Sequence, residues 1–164
     1  MSEADDFDAF YRARFAPVVR RIHLATGDLT RAEDVVQEAF VRAWQHWSTM
    51  RDHDPRAWVE QVAWRLAIDG WRRTERFERI LKRHAARPRP AEPASDVEHL
   101  DAVLALLRPL STERRMLLVL IYFDDRSVEE AALTLGIPLG TAKSRLARAL
   151  ASLRNSNFKE GTTS

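Results

Sequence analysis

Apolar positions recur at three- and four-residue steps along most of the chain, and strict alternation is nowhere sustained, so the pattern predicts an all-α protein. Phe7, Phe10, Tyr11, Val18 and Ile22 mark a first helix, with Pro17 as an expected kink or break. Gly27-Asp28 marks a turn, and Thr30 with Glu33 reads as a capping box opening the clearest helix of the chain. Its apolar face is Ala32, Val35, Val36, Ala39, Phe40, Ala43, Trp44 and Trp47; Asp34, Gln37, Glu38, Arg42 and Gln45 form the polar face. A polar loop is expected over 48–54. Asp54 is placed to cap the next helix, with Pro55 at its first position, where the missing amide proton costs nothing. That helix is expected to reach about Arg73 and, less regularly, Arg83. Residues 85–96 hold Pro88, Pro90 and Pro93 without apolar periodicity and read as a semi-extended linker.

A second helical block begins near Val97. Leu100, Val103, Leu104 and Leu107 make one stripe before Pro109. Ser111 caps a helix whose run 116–123 is apolar on all sides, so it is expected to be the buried centre of the block. After a turn at 124–126, Ser127 and Glu130 form a capping box, and Gly136 ends the short helix beyond them. A last helix over 140–153 is expected to bury Ala142, Leu146, Leu150 and Leu153, and the polar tail beyond it to fray. The expected organisation is thus two small helical domains, 1–84 and 97–155, with a linker at 85–96 and a flexible tail at 156–164.

Composition narrows the class. Cysteine is absent, which excludes disulfides and thiolate metal sites. The N-terminus is acidic and no long apolar run follows it, so the expectation is an intracellular, cytoplasmic protein without a membrane span. Net charge is only +2, but the distribution is uneven. Glu3, Asp5, Asp6 and Asp8 open the chain without a base, whereas Lys143, Arg145, Arg148 and Arg154 follow one another without an acid. The histidines lack metal-ligand spacing, and no Gly-rich phosphate loop, nucleophile elbow or acid–base pair is present. No cofactor, metal or catalytic residue is expected, and the chain reads as a non-enzyme.

Two constellations carry candidate chemistry. The capped helix, Gly-containing turn and basic helix of 127–153 fit a helix-turn-helix. Thr141, Lys143, Ser144, Arg145 and Arg148 are read as lying opposite the leucine stripe, suited to phosphate anchoring and guanine readout. An αα-hairpin with a solvated basic face is the alternative. All five tryptophans fall between Trp44 and Trp71, mixed with arginines, as on single-stranded DNA surfaces. On the helix after Pro55, Trp58 is grouped with Val59, Val62, Ala63 and Leu66, and Trp64 with Ile68 and Trp71. For any one tryptophan a core position is the simpler reading. The polar face of the helix after Thr30 supports no functional claim by itself.

Taken together, these segments resemble the extracytoplasmic-function (ECF) sigma factors of the sigma-70 family across nearly the whole chain. Gly27-Asp28, the run Ala32-Glu33-Asp34-Val35-Val36-Gln37-Glu38-Ala39-Phe40, Ala43-Trp44, Pro55-Arg56-Ala57-Trp58, Ala67-Ile68-Asp69 and Arg72-Arg73 are similar to region two of that family. Leu135-Gly136-Ile137-Pro138-Leu139-Gly140-Thr141-Ala142-Lys143-Ser144-Arg145-Leu146 is similar to region four. The resemblance implies an initiation subunit that binds core RNA polymerase, at its clamp helices and flap, and promoter DNA, with an anti-sigma protein as a possible further partner. It implies core binding, at the clamp helices of the largest subunit, for Asp34, Gln37, Glu38, Arg42 and Gln45. It implies minus-ten recognition for the 48–54 loop and following helix, through Thr49, Arg51, Asp52, His53, Trp58, Arg65, Arg72 and Arg73. It implies minus-thirty-five recognition for Thr141, Lys143, Ser144, Arg145 and Arg148. Trp64-Arg65 departs from the usual Arg-Asn pair, and Ala142 replaces a common valine. The alternatives are an autonomous helix-turn-helix regulator and a helical adaptor that binds only protein.

Overall fold

Ser2 closes the N-terminal end of the first helix. Its hydroxyl donates to the Asp5 carboxylate at 2.6 Å and lies 3.2 Å from the Asp5 amide, which donates back to it. The side-chain bond, with help from the Ser2 amide, holds the Asp5 carboxyl below its usual range. The computed structural model describes residues 1–81 and 98–161, and among them it contains only helices and no strand. The order is α1 (Glu3–Thr26), α2 (Leu29–Gln45), α3 (Trp47–Met50), α4 (Pro55–Leu81), α5 (Glu98–Leu107), α6 (Thr112–Tyr122), α7 (Val128–Leu135) and α8 (Leu139–Gly161). Contacts group 1–23 and 28–81 into one compact unit and 98–161 into a second, which also takes in 24–27. The expected linker at 85–96 lies outside the described residues.

In the first unit, α1 runs through Pro17 without the expected break. Proline removes one amide donor there, but the helix continues, and the neighbouring Val18, Val19 and Ile22 are buried. Asp28, not Thr30, caps α2: it is extended (φ −126°), and its carboxylate accepts from the Arg31 amide at 3.0 Å. Thr30 is already the second residue of the helix, too late to serve. The ring of Phe40, 1% exposed, is the centre of an aromatic cluster. Phe7, Phe10, Tyr11 and Phe15 of α1 surround it at centroid distances of 6.4, 5.5, 5.1 and 5.8 Å. Such pairs contribute roughly 0.5–1.5 kcal/mol each beyond area burial.

The predicted 48–54 loop is shorter than expected. His46 ends α2, and Trp47 and Met50, both buried three residues apart, restart one turn of helix as α3. Asp54, at φ 49°, then caps α4 by accepting from the Ala57 amide at 3.2 Å. Val59, Ala63, Ala67 and Ile68 form the buried stripe of α4, and Trp64 is buried with them.

In the second unit, Met116–Leu120 of α6 are all buried, but Tyr122 and Phe123 are exposed, so the buried run stops short of its predicted end. Ser127 and Glu130 form the predicted capping box, and Gly136 (φ 65°) ends α7 in the left-handed conformation. The Ile137 amide donates to the Ala132 carbonyl at 3.0 Å, which closes the turn before α8. α8 continues to Gly161 rather than fraying at Asn155: no glycine or proline interrupts it there, and Ser156 bonds back to the Ser152 carbonyl at 3.0 Å.

Candidate functional site

On α2, Asp34, Gln37, Glu38, Arg42 and Gln45 lie on the solvent side, as their polar pattern predicts. Glu38 and Arg42 pair at 2.9 Å, one turn apart, and Gln37 accepts from the Tyr11 hydroxyl at 3.0 Å. Sequence patterning places Trp44 on the packed side; it is instead 47% exposed, its ring 5.1 Å from Phe7. The ring lies along the edge of the aromatic cluster rather than inside it. Val41 is also exposed, between Gln37 and Gln45. The strip therefore mixes carboxylates, amides, a cation and two apolar side chains.

A groove of about 390 Å³ runs between α2 and α4, with Asp34 and Glu38 on one side and Leu66 and Arg73 on the other. Arg31 also lines it, and its guanidinium donates to the Thr74 hydroxyl at 2.9 Å. Residues assigned by the resemblance to two different partners thus border one groove. Patterning gives no sign of this, because it depends on how α2 packs on α4.

The minus-ten set is divided. The Thr49 hydroxyl donates to the His46 carbonyl at 2.9 Å, and Arg51 is drawn to the acidic first turn of α1, 3.4 Å from Asp6 and 3.9 Å from Glu3. Asp52 and His53 are exposed in the turn before α4. Trp58 is half-buried, 6.3 Å from the His46 ring. It does not lie with the buried stripe of Val59. Trp58, Arg65 and Arg72 recur every seven residues and so share one stripe of α4, about 21 Å long at the usual helical rise. Arg65, Arg72 and Arg73 are exposed. Of the other tryptophans, Trp64 and Trp47 are core, and Trp71 is half-buried.

On α8, the packed side is Ala142 and Ala149, both fully buried, with Leu146, Leu150 and Leu153 beside them. Lys143, Ser144 and Arg148 are exposed as expected, and the Ser144 hydroxyl donates to the Gly140 carbonyl at 3.0 Å. Gly140, Ala147 and Ala151 lie exposed near the two cations and keep this face low. Arg145 departs from the prediction. It is half-buried, at the edge of the packed side, and its guanidinium pairs with Glu113 in the first turn of α6. Thr141, also half-buried, lies one turn before it. The pairing is not legible in sequence, because the partners stand 32 residues apart on different helices.

Among the described residues, no group of histidines, cysteines or carboxylates is arranged to hold a metal, and no helix is long and apolar enough to cross a membrane.

Comparison with known proteins gives the family and the fold. Residues 10–77 match the model for Sigma-70 region 2, and residues 100–153 match that for Sigma-70, region 4. The chain is 36% identical to the ECF RNA polymerase sigma factor SigL of Mycobacterium tuberculosis, over 99% of this chain and 94% of that protein. It is 31% identical to the RNA polymerase sigma-E factor of Streptomyces coelicolor, over 94% and 87% of the two chains. The fold is similar to the sigma factor RpoE solved with the anti-sigma factor NepR from Bartonella quintana, at TM-score 0.63 and 23% identity, over 92% and 95%. It is similar also to CnrH solved with the cytosolic domain of CnrY, at TM-score 0.55 and 25% identity, over 96% and 89%.

Proposed function

The chain belongs to the sigma-70 family, as an ECF RNA polymerase sigma factor, and from that premise we propose which of its faces meets each partner. It associates with core RNA polymerase and directs initiation at promoter DNA. Residues 1–84 are the proposed region-two domain, 97–155 the region-four domain and 85–96 their linker, with 156–161 continuing the last helix. The proposal includes a cytoplasmic protein without a catalytic step of its own.

The exposed α2 strip carries the reading most directly. Asp34, Gln37, Glu38, Arg42 and Gln45 are left toward solvent together with Val41 and Trp44. A merely solvated face has no use for a half-bare tryptophan, whereas interface centres favour aromatics ringed by polar groups. We assign this strip to the clamp helices of the largest subunit. Thr49, Arg51, Asp52, His53 and the Trp58–Arg65–Arg72 stripe with Arg73 are assigned to the minus-ten element. The exposed side of α8, with Thr141 and Arg145 at its edge, is assigned to the minus-thirty-five duplex, and the second unit to the polymerase flap. An anti-sigma protein that covers such faces is an expected regulator.

The energetics require this division. Separating DNA costs about 1.4 kcal/mol per stacked step, so a bubble of about ten steps costs roughly 14 kcal/mol. Base stacking on aromatics returns about 1–3 kcal/mol per base. One or two captured bases cannot open a promoter without the polymerase. Two modest DNA modules on one chain gain from effective concentration when both engage.

Run-off transcription with purified core polymerase on genomic fragments tests the assignment. Asp34→Asn with Glu38→Gln should weaken core binding and leave a duplex minus-thirty-five interaction intact. Lys143→Gln with Arg148→Gln should do the reverse. If both pairs impair the same step, the assignment of faces is wrong.

A further inference from the structure

We propose that Arg145 is a positioning residue, held off the DNA by Glu113, and that sequence readout on α8 falls to Lys143, Ser144 and Arg148. This rests on the reading of α8 as the minus-thirty-five reader. Sequence patterning groups Arg145 with the other bases of a face that has no acid. The structure separates it from them. Arg145 follows the fully buried Ala142 by three residues and precedes the fully buried Ala149 by four, so its stem leaves α8 on the side that packs. Its guanidinium is taken up by Glu113. The backbone that carries Glu113 is well anchored: it stands in the first turn of α6, beside the Ser111 cap and ahead of the buried run Met116–Leu120.

Charge then separates Arg145 from its neighbours. A phosphate that approached Arg145 would approach Glu113 as well, and the pair carries no net charge. It offers little counterion release, the main source of affinity for duplex DNA. Lys143 lies on the far side of α8 from Arg145; Arg148 follows Arg145 by one turn but is exposed, whereas the Arg145 guanidinium is paired with Glu113. Exposed Gly140, Ser144, Ala147 and Ala151 lie between them, so the backbone of α8 can come close to a groove floor while the two cations reach outward. Arg145 instead ties α8 to α6 and fixes the angle at which that face is presented.

The test is equilibrium binding of the holoenzyme to a promoter fragment, measured against salt and against single-base changes in the minus-thirty-five element. Removing one phosphate partner should reduce the slope of log K on log [salt] by about 0.9. Arg148→Gln or Lys143→Gln should lower that slope or relax the preference at one base pair. Arg145→Gln should change neither slope nor base preference. An equal slope loss for Arg145→Gln and Arg148→Gln overturns the proposal. If neither Lys143→Gln nor Arg148→Gln has any effect, it is the recognition-helix reading that fails, a separate outcome. Should Arg145→Gln loosen the fold, the exchange Glu113→Arg with Arg145→Glu decides. It restores the pair with the charges reversed, and the proposal requires promoter affinity to stay close to that of the parent. Loss of promoter binding in an exchanged protein that still binds core polymerase would rule the proposal out.

Discussion

The Arg51 guanidinium lies 3.4 Å from the Asp6 carboxylate, so the acidic opening of the chain reaches the turn assigned to the minus-ten element. Glu3 stands 3.9 Å away and adds to the same field. Both partners are partly exposed, and such pairs are worth at most about 1 kcal/mol. Glu3→Gln with Asp6→Asn should release Arg51 and raise affinity for a forked minus-ten fragment up to about fivefold, the equivalent of that energy. The gain should shrink as salt is raised, because exposed pairs are screened. Fluorescence binding by the holoenzyme at two salt concentrations checks this, and an unchanged affinity at the lower one removes Arg51 from the DNA face.

Capping gives a cleaner measurement. Asp28→Ala removes the acceptor for the Arg31 amide and should cost about 1 kcal/mol in denaturant unfolding. Thr30→Ala should cost clearly less, since Thr30 lies inside α2. Equal losses would restore Thr30 as the cap.

Asp28 and Thr30 also show how far sequence reading reaches. Ser127 with Glu130, Asp54 with Pro55, and Gly136 are legible, because caps and left-handed glycines depend on neighbours within one turn. Thr30 satisfies the same local pattern and fails, because Asp28 two residues earlier can also cap and the chain adopts it. Trp44 and Arg145 fail differently. Periodicity gives the side of a helix, but not how much of that side a neighbour covers. Phe7 leaves Trp44 half-bare, and only the packing of α6 on α8 brings Glu113 to Arg145. The helix-turn-helix is therefore readable in advance. Which of its bases remain available is not.

Val41 offers a test of the α2 strip that spares the core. It is 42% exposed, so Val41→Asp should cost only about 1 kcal/mol of stability, from the covered part of the side chain and from an anion near the C-terminal end of α2. In an interface the same carboxylate would be buried without a partner, and core-polymerase affinity should fall by about tenfold or more. Calorimetric binding to core enzyme beside a melting curve separates the two effects. Unaltered affinity with an intact fold would place the clamp surface elsewhere.

The tryptophans of α4 should divide along the line that burial draws. Trp64 is 1% exposed beside Ala63, Ala67 and Ile68, and truncation to alanine leaves a large void that neighbouring helices can only partly close. Trp64→Ala should cost about 3–5 kcal/mol, enough to unfold much of the first unit at ordinary temperature. Trp58 is half-buried and stands on the stripe with Arg65 and Arg72, where its ring is partly against the protein and partly open. Trp58→Ala should cost less stability and should lower affinity for single-stranded minus-ten DNA by about 1–3 kcal/mol if a base stacks there. Trp58→Phe should recover part of that affinity, because a smaller ring still presents a π face, whereas Trp58→Leu should recover little. Circular dichroism melting and binding of a single-stranded minus-ten oligonucleotide by the holoenzyme, run on the same preparations, provide both readings. If the leucine variant binds as well as the phenylalanine one, Trp58 supports the fold and the base is captured by another side chain.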